Sequence, residues 1–196
     1  MSLNKRPIVL ASGSPRRKQL LEEAGFTITV SPVNADETYP ENLAINEVAE
    51  FICSKKTAEA RQYLTEDNII ITADSIVVLG QKIFGKPSDR NDAIRILAHL
   101  SGKKHTVYTG VQITDKHKTI SFTGSSNVYF REFTYEEIEW YIDRFKPYDK
   151  AGSYAVQEWV GLCKISAIEG SYANIMGLPA DLVYEGLKHF EGALLF

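Results

Sequence analysis

The sequence reads as an α/β or α+β fold built on a mixed β-sheet, and three observations lead there. Short β-branched runs alternate with segments whose apolar residues recur at helical spacing, and strands then cluster later in the chain. Apolar content of 44% and charged content of 24% are those of an ordinary soluble globular protein. Over 196 residues there is no internal repeat, low-complexity tract or composition break. One domain, or one domain with two lobes, is therefore expected, with enough chain to bury a sizeable core.

The first element is a short apolar strand, Ile8 to Leu10, which breaks into Ala11, Ser12, Gly13 and Ser14 before Pro15. Pro suits the first helical position, so Ser14 is the expected N-cap, with Leu20, Leu21 and Ala24 facing inward and Gly25 ending the helix. Thr27 to Val30 is a second short strand. A polar loop, Ser31 to Pro40, carries the adjacent acids Asp36 and Glu37, a pair that usually faces solvent. From Leu43 to about Leu64 the apolar spacing of Ile45, Val48, Ala49 and Ile52 predicts one amphipathic helix. Lys56 falls on that stripe with only about 20° of drift, whereas Lys55 points about 100° away.

Asn68 to Leu79 is a β-branched strand interrupted by Asp74. A hairpin turning at Gly80-Gln81 into Lys82, Ile83 and Phe84 pairs residues whose numbers sum to about 161, which sets Asp74 opposite Pro87 and beside Lys86. Ser88 or Asp89 then caps a helix to Leu100, and strands over His105 to Thr114 and Thr119 to Phe130 flank the turn Asp115 to Lys118. Thr134 and Glu137 form a capping box for a helix through Arg144. Lys146 to Gln157 is read as a loop feeding a strand, and Leu162 to Ile168 as a further strand. Asn174 to Pro179 is read as a loop, and Ala180 to Phe190 as the last helix.

The balance of charge narrows the function classes. A net charge of −3 gives no bulk reason to expect a nucleic-acid partner, so any basic site must be local. No apolar run approaches 18 residues and no leader is read, so a cytoplasmic protein off the membrane is expected, with Cys53 and Cys163 as buried, reduced thiols. The four histidines are scattered without metal-ligand spacing, which argues against a His/Cys zinc site.

Several positions break local expectation together. Arg16 and Arg17 occupy a helix first turn, where cations are disfavoured by roughly 0.3 to 1 kcal/mol. Either they are solvated surface charges, or exposed amides, small hydroxyls and two guanidinium groups form a phosphate site. Lys56 either snorkels at the core edge or meets a ligand. Asp74 needs a partner, a metal or a catalytic task, and with Lys86 it forms either a structural ion pair or part of a site. Taken as a set, these residues suit a nucleoside triphosphate, whose roughly four negative charges Arg and Lys can neutralise. Carboxylates would then hold Mg²⁺ or Mn²⁺, or orient the attacking water. Neither G-x-x-x-x-G-K-S/T nor G-x-G-x-x-G occurs.

The runs SGSPRRKQLL, TADS at Thr72 to Ser75, Gly85-Lys86-Pro87, LSGKKHTVYTGV, DKAGSYAVQ and IEGSYANIMGLP, with Glu37 and Lys56 between them, stand in one order along the chain. In that order they resemble the Maf family of nucleoside triphosphate pyrophosphatases. The resemblance implies a two-lobed α/β fold with flanking helices, like the inosine triphosphatases of the Ham1 type, and a nucleotide cleft between lobes. It also implies hydrolysis of a nucleoside triphosphate to monophosphate and pyrophosphate, with water attacking the α-phosphorus. On the matching positions, Asp74 becomes the proton acceptor, and Arg17, Lys56 and Lys86 the phosphate and catalytic cations. Ser12 and Ser14 fall in the phosphate-cradling turn, Glu37 becomes the loop carboxylate that partners the metal or the water, and Asp74 is the second metal carboxylate. Arg16, Ser75 and Gln157 resemble the base-reading set of the branch that cleaves dTTP and UTP, with Ser75 where Thr is usual. A homodimer is implied as well. The competing reading is a nucleotide-sensing protein that regulates division through a partner, or a pyrophosphatase for modified or purine nucleotides.

Overall fold

The computed structural model describes residues 2–195. Seven strands form one mixed sheet: β1 (Ile8–Leu10), β2 (Ile28–Val30), β3 (Ile69–Leu79), β4 (Lys82–Phe84), β5 (Lys104–Thr114), β6 (Thr119–Phe130) and β7 (Ile165–Glu169). Their order is β2-β1-β3-β5-β6-β7, with β4 pairing to β3. The helices are α1 (Pro15–Glu23), α2 (Val48–Ala60), α3 (Arg90–Leu100), α4 (Tyr135–Phe145), α5 (Trp159–Cys163), α6 (Tyr172–Met176) and α7 (Ala180–Leu187). β1 runs parallel to both β2 and β3, whereas β4 on β3 and β7 on β6 are antiparallel. The mixed α/β architecture is the one expected from the pattern of strands and helices.

The chain divides into two compact units. The first comprises Met1–Asp74, Thr109–Gly124 and Gly177–Phe196. Its centre is the all-apolar β1, with Ile69, Ile70 and Ile71 beside it, buried as a parallel strand must be when both faces are covered. Val9, Ala11, Ile70 and Ala60 make one cluster there, closed by Val33, Tyr63 and Leu64. α2 lies very close to β5 at Gly110, where a Cβ would stand 2.4 Å from the Glu50 nitrogen. Glu50 then accepts from Ser121 Oγ at 2.7 Å and Thr123 Oγ1 at 2.8 Å, which pins the start of the helix to β6.

The second unit comprises Ser75–Tyr108 and Ser125–Met176. Val77, Phe84, Leu97, Val128, Phe130, Ile138, Tyr141 and Tyr154 lie in its core. The β3/β4 ladder pairs Val77 with Phe84, Val78 with Ile83 and Leu79 with Lys82, which is the register expected for a turn at Gly80-Gln81. The capping box at Thr134 and Glu137 forms as the sequence indicates.

Five expectations are corrected. The segment 43–64 is not one helix: a 3₁₀ turn at Ile45–Glu47 precedes α2 and another at Arg61–Tyr63 follows it, tightening both ends. The loop from Lys146 to Gln157 feeds no strand directly. The chain instead makes a 3₁₀ turn at Ala151–Ser153, and Tyr154 is buried, held by its ring contacts and by a 2.7 Å hydrogen bond between its hydroxyl and His105 Nε2. The strand expected from Leu162 begins three residues later, because α5 takes Trp159–Cys163, and Cys163 is exposed at its end rather than buried. Gly161 permits that turn, since a Cβ there would lie 1.7 Å from the Val156 carbonyl. The loop expected at 174–179 begins with the one-turn α6, tied down by Asn174 Nδ2 donating to the Val107 carbonyl at 3.1 Å and to Ser126 Oγ at 3.0 Å.

Candidate active site

The first unit assembles its polar residues from three short pieces of chain. β1 ends at Leu10, and the turn that follows hands the backbone to α1 with Ser14 as N-cap, its hydroxyl accepting from the Arg17 amide at 3.5 Å. Ser12 is buried, and its Oγ accepts from the Ser14 amide at 3.3 Å. No acidic residue stands in the first turn of α1, where Arg16 and Arg17 are both half-buried.

Arg17 turns inward. Its Nε donates to the Gly177 carbonyl at 2.7 Å, and its Nη1 donates to Ser12 Oγ at 3.1 Å and to the Ala73 carbonyl at 2.8 Å. One guanidinium thus joins the turn, the middle of β3 and the residue where the chain re-enters the unit ahead of α7. Burial lowers its pKa from the ordinary arginine value, and the nearby Asp74 charge pushes it back up.

Asp74 sits in β3 beside Ala73, with its side chain only 12% exposed. Lys56 reaches it from α2: Lys56 Nζ lies 2.5 Å from Asp74 Oδ1 and 2.8 Å from Glu37 Oε1. The helical stripe places that lysine inward, as its spacing from Ile52 requires, and its side chain is 14% exposed. Burial works against the Lys56 ammonium, and the Asp74 and Glu37 carboxylates overcome that cost and hold its pKa above the ordinary lysine value. Glu37 is the more open acid, its side chain half exposed.

A second ion pair lies alongside. Lys55 Nζ donates to Asp36 Oδ2 at 2.7 Å and to the Thr38 carbonyl at 2.9 Å, so the neighbouring acids of the loop meet the neighbouring lysines of α2 one to one. Helical spacing turns Lys55 away from the core and a polar loop leaves Asp36 toward solvent, but neither pattern brings the two together.

Three residues named from the sequence belong to the second unit. Ser75 follows Asp74 in β3 and is half-buried, Lys86 is exposed in the segment after β4, and Gln157 is exposed in the turn before α5. The β3/β4 pairing closes at Val77 and Phe84, so the ladder stops short of both Asp74 and Lys86. Lys150, itself buried, and Tyr141 both approach Glu158, the residue after Gln157: Lys150 Nζ is 3.6 Å from Oε1 and the Tyr141 hydroxyl is 2.5 Å from Oε2.

Sequence reasoning missed a buried hydroxyl cluster under the Lys56–Asp74 pair. Thr57 Oγ1 donates to the Cys53 carbonyl at 3.1 Å and lies 2.5 Å from Thr72 Oγ1, which lies 3.3 Å from Cys53 Sγ. Spacing puts Thr72 on the strand face of Asp74 and Cys53 one helical turn from Thr57, but it does not set the one pair against the other.

A basic strand-turn-helix beside a lysine-bridged carboxylate pair, on a mixed sheet flanked by helices, defines an α/β protein with an anion-suited site. The architecture matches the solved structure of the Staphylococcus aureus Ham1 protein with a TM-score of 0.54, covering 94% of this chain and 99% of that one at 14% identity. At that identity the likeness is one of fold alone. The Maf-like protein family matches residues 7–190, and the chain belongs to that family. Among its relatives is a dTTP/UTP pyrophosphatase of Bacteroides thetaiotaomicron, 44% identical over 95% of this chain and 97% of its own length. A dTTP/UTP pyrophosphatase of Phocaeicola vulgatus is 45% identical over the same shares.

Proposed function

We propose that the protein is a nucleoside triphosphate pyrophosphatase that hydrolyses dTTP and UTP to the monophosphate and pyrophosphate. The observation that carries this reading is the Lys56 ammonium clamped between Glu37 and Asp74, set beside a helix N-terminus that bears arginines where acids are usual. Relatives named dTTP/UTP pyrophosphatase along 95% of the chain support the substrate class. We take residues 1–196 as a single functional domain, since one family match runs through both units.

In this reading Asp74 accepts the proton of the water that attacks the α-phosphorus. Lys56, on Oδ1, fixes the orientation of that carboxylate and leaves Oδ2 to the water. The backbone amides of the Ser12–Ser14 turn and the N-terminus of α1 face the phosphates, and Arg17 holds the turn against Ala73 so that its charge and the catalytic strand keep one spacing. Lys86 supplies a further phosphate cation, and Arg16, Ser75 and Gln157 read the base; these four assignments rest on the resemblance.

The donor set suits a hard divalent cation. Among the described residues no group of three His, Cys, Asp or Glu is placed to hold a metal ion. Mg²⁺ is often held by one or two carboxylates, with substrate phosphates and water completing the shell, and Glu37 and Asp74 would supply that pair. Bound there, Mg²⁺ or Mn²⁺ would neutralise phosphate charge.

Among the described residues no helix is long and apolar enough to cross a membrane. We place the enzyme in the cytoplasm as a homodimer, which sedimentation of the purified chain tests. The function itself is tested by incubating the protein with a nucleotide panel and Mg²⁺ and measuring pyrophosphate. Release from dTTP and UTP is expected; release only from a purine nucleotide overturns the substrate, and nucleotide binding without release overturns the enzyme.

A further inference from the structure

We propose that Thr57 and Thr72, with Cys53, are positioning residues: their closed ring of hydrogen bonds sets α2 against β3 at the one register in which Lys56 Nζ reaches Asp74. The inference rests on the pyrophosphatase reading for its kinetic consequence, but not for its structural one.

All three residues are buried, at 3%, 0% and 0% exposure for Thr57, Thr72 and Cys53. Each has one proton to give and needs one acceptor. Thr57 donates to the Cys53 carbonyl at 3.1 Å. The Thr72 hydroxyl then donates to Thr57 Oγ1 at 2.5 Å, and the Cys53 thiol donates to Thr72 Oγ1 at 3.3 Å. This arrangement satisfies every donor and closes on itself, and it requires Cys53 to keep its proton. Burial does that, raising the thiol pKa to about 11.

The ring is placed where it can govern the pair. Thr72 and Asp74 are two apart on β3 and so share its face, roughly 7 Å from one another along the strand. Thr57 follows Lys56 directly on α2. β3 therefore carries one ring residue and one member of the ion pair, α2 carries two ring residues and the other member, and a slip of one residue along β3 would remove both sets of contacts together. Apolar packing alone tolerates small sliding, whereas a hydroxyl contact of 2.5 Å does not.

The test separates positioning from plain stability. The single variants are expected to destabilise, because Thr57→Val takes the acceptor from the buried Thr72 hydroxyl, and Thr72→Val takes the acceptor from the Cys53 thiol and the donor from Thr57 Oγ1. The double variant replaces both hydroxyls with methyls of the same shape, so its melting temperature should stay within about 4 °C of the parent. Its kcat on dTTP should nonetheless fall about 10- to 100-fold with KM changed less than about threefold, and Thr→Ser at both positions should restore it. The ¹⁵Nζ signal of Lys56, recorded without nucleotide, should lose its ion-paired shift in the double valine variant and regain it in the double serine variant. An unchanged Lys56 signal in the valine pair overturns the inference, as does a kcat that simply follows stability. Because the signal needs no turnover, absence of pyrophosphate release by the parent would count against the proposed function and leave the positioning result standing on its own.

Discussion

Lys55 and Lys56 are neighbours in α2, and each meets one of two neighbouring acids, yet the two contacts are physically unlike. The outer pair, Lys55 with Asp36, holds an acid whose side chain is 63% exposed, and water and salt screen it. Lys56 also meets a half-exposed acid, Glu37, but its second partner is the in-strand Asp74, and that inner pair is nearly dry on both sides, at 14% and 12%. A rotation of about 100° around one helix turns a solvated strap into the centre of a proposed catalytic site. Charge sequence alone is therefore a poor guide to what a lysine does, and the neighbouring apolar stripe is a good one.

The strongest way to break the inner side is Asp74→Asn, which keeps the shape and removes the charge. Turnover on dTTP is expected to fall by about 10² to 10⁴, measured as pyrophosphate release; near-normal turnover in a folded variant would remove Asp74 as proton acceptor. Next, Lys56→Met leaves Asp74 and Glu37 facing one another without their shared cation. Chemical denaturation should show a loss of about 1 to 3 kcal/mol, together with reduced turnover. Arg17→Ala should lower turnover on every nucleotide, while Arg16→Ala should mainly alter their ranking; a uniform loss in both would deny the division of labour between them. The outer side should respond least. Asp36→Asn is expected to shift kcat/KM by less than about threefold, and raising the salt concentration should shrink even that difference.

Titration sharpens the contrast further. The raised pKa of Lys56 contributes stability that is fully present below its ordinary value of 10.5 and is lost as pH climbs through the raised one. Asp36 runs the other way: Lys55 and Thr38 hold its carboxyl well below 3.8, so its contribution is present above that value and disappears on acidification. Melting curves of Lys56→Met and the parent should converge in alkali, and those of Asp36→Asn and the parent in acid.

Local chemistry made much of this legible in advance. Ser14, Pro15 and Gly25 announce α1, a carboxylate among isoleucines and valines marks β3, and Gly80-Gln81 predicts the hairpin register, because each depends on residues close in sequence. The short helices α5 and α6 were not legible. One turn cannot stabilise itself, and α6 exists because Asn174 reaches Val107 and Ser126, far away in the chain. The same holds in the site: the periodicity put Lys56 inward, but nothing in the sequence brings Thr57 to Thr72 or Arg17 to the carbonyls of Ala73 and Gly177.

Gly110 now bears on more than packing. A methyl group at that position would need the backbone at Glu50 to retreat by about an ångström to reach ordinary contact distance. Lys56 lies six residues further along the same rigid rod, about 9 Å away. A hydrogen atom where every other amino acid carries carbon thus acts as a shim of zero thickness, and the reach of an ammonium group to its carboxylate is calibrated from the far end of the helix.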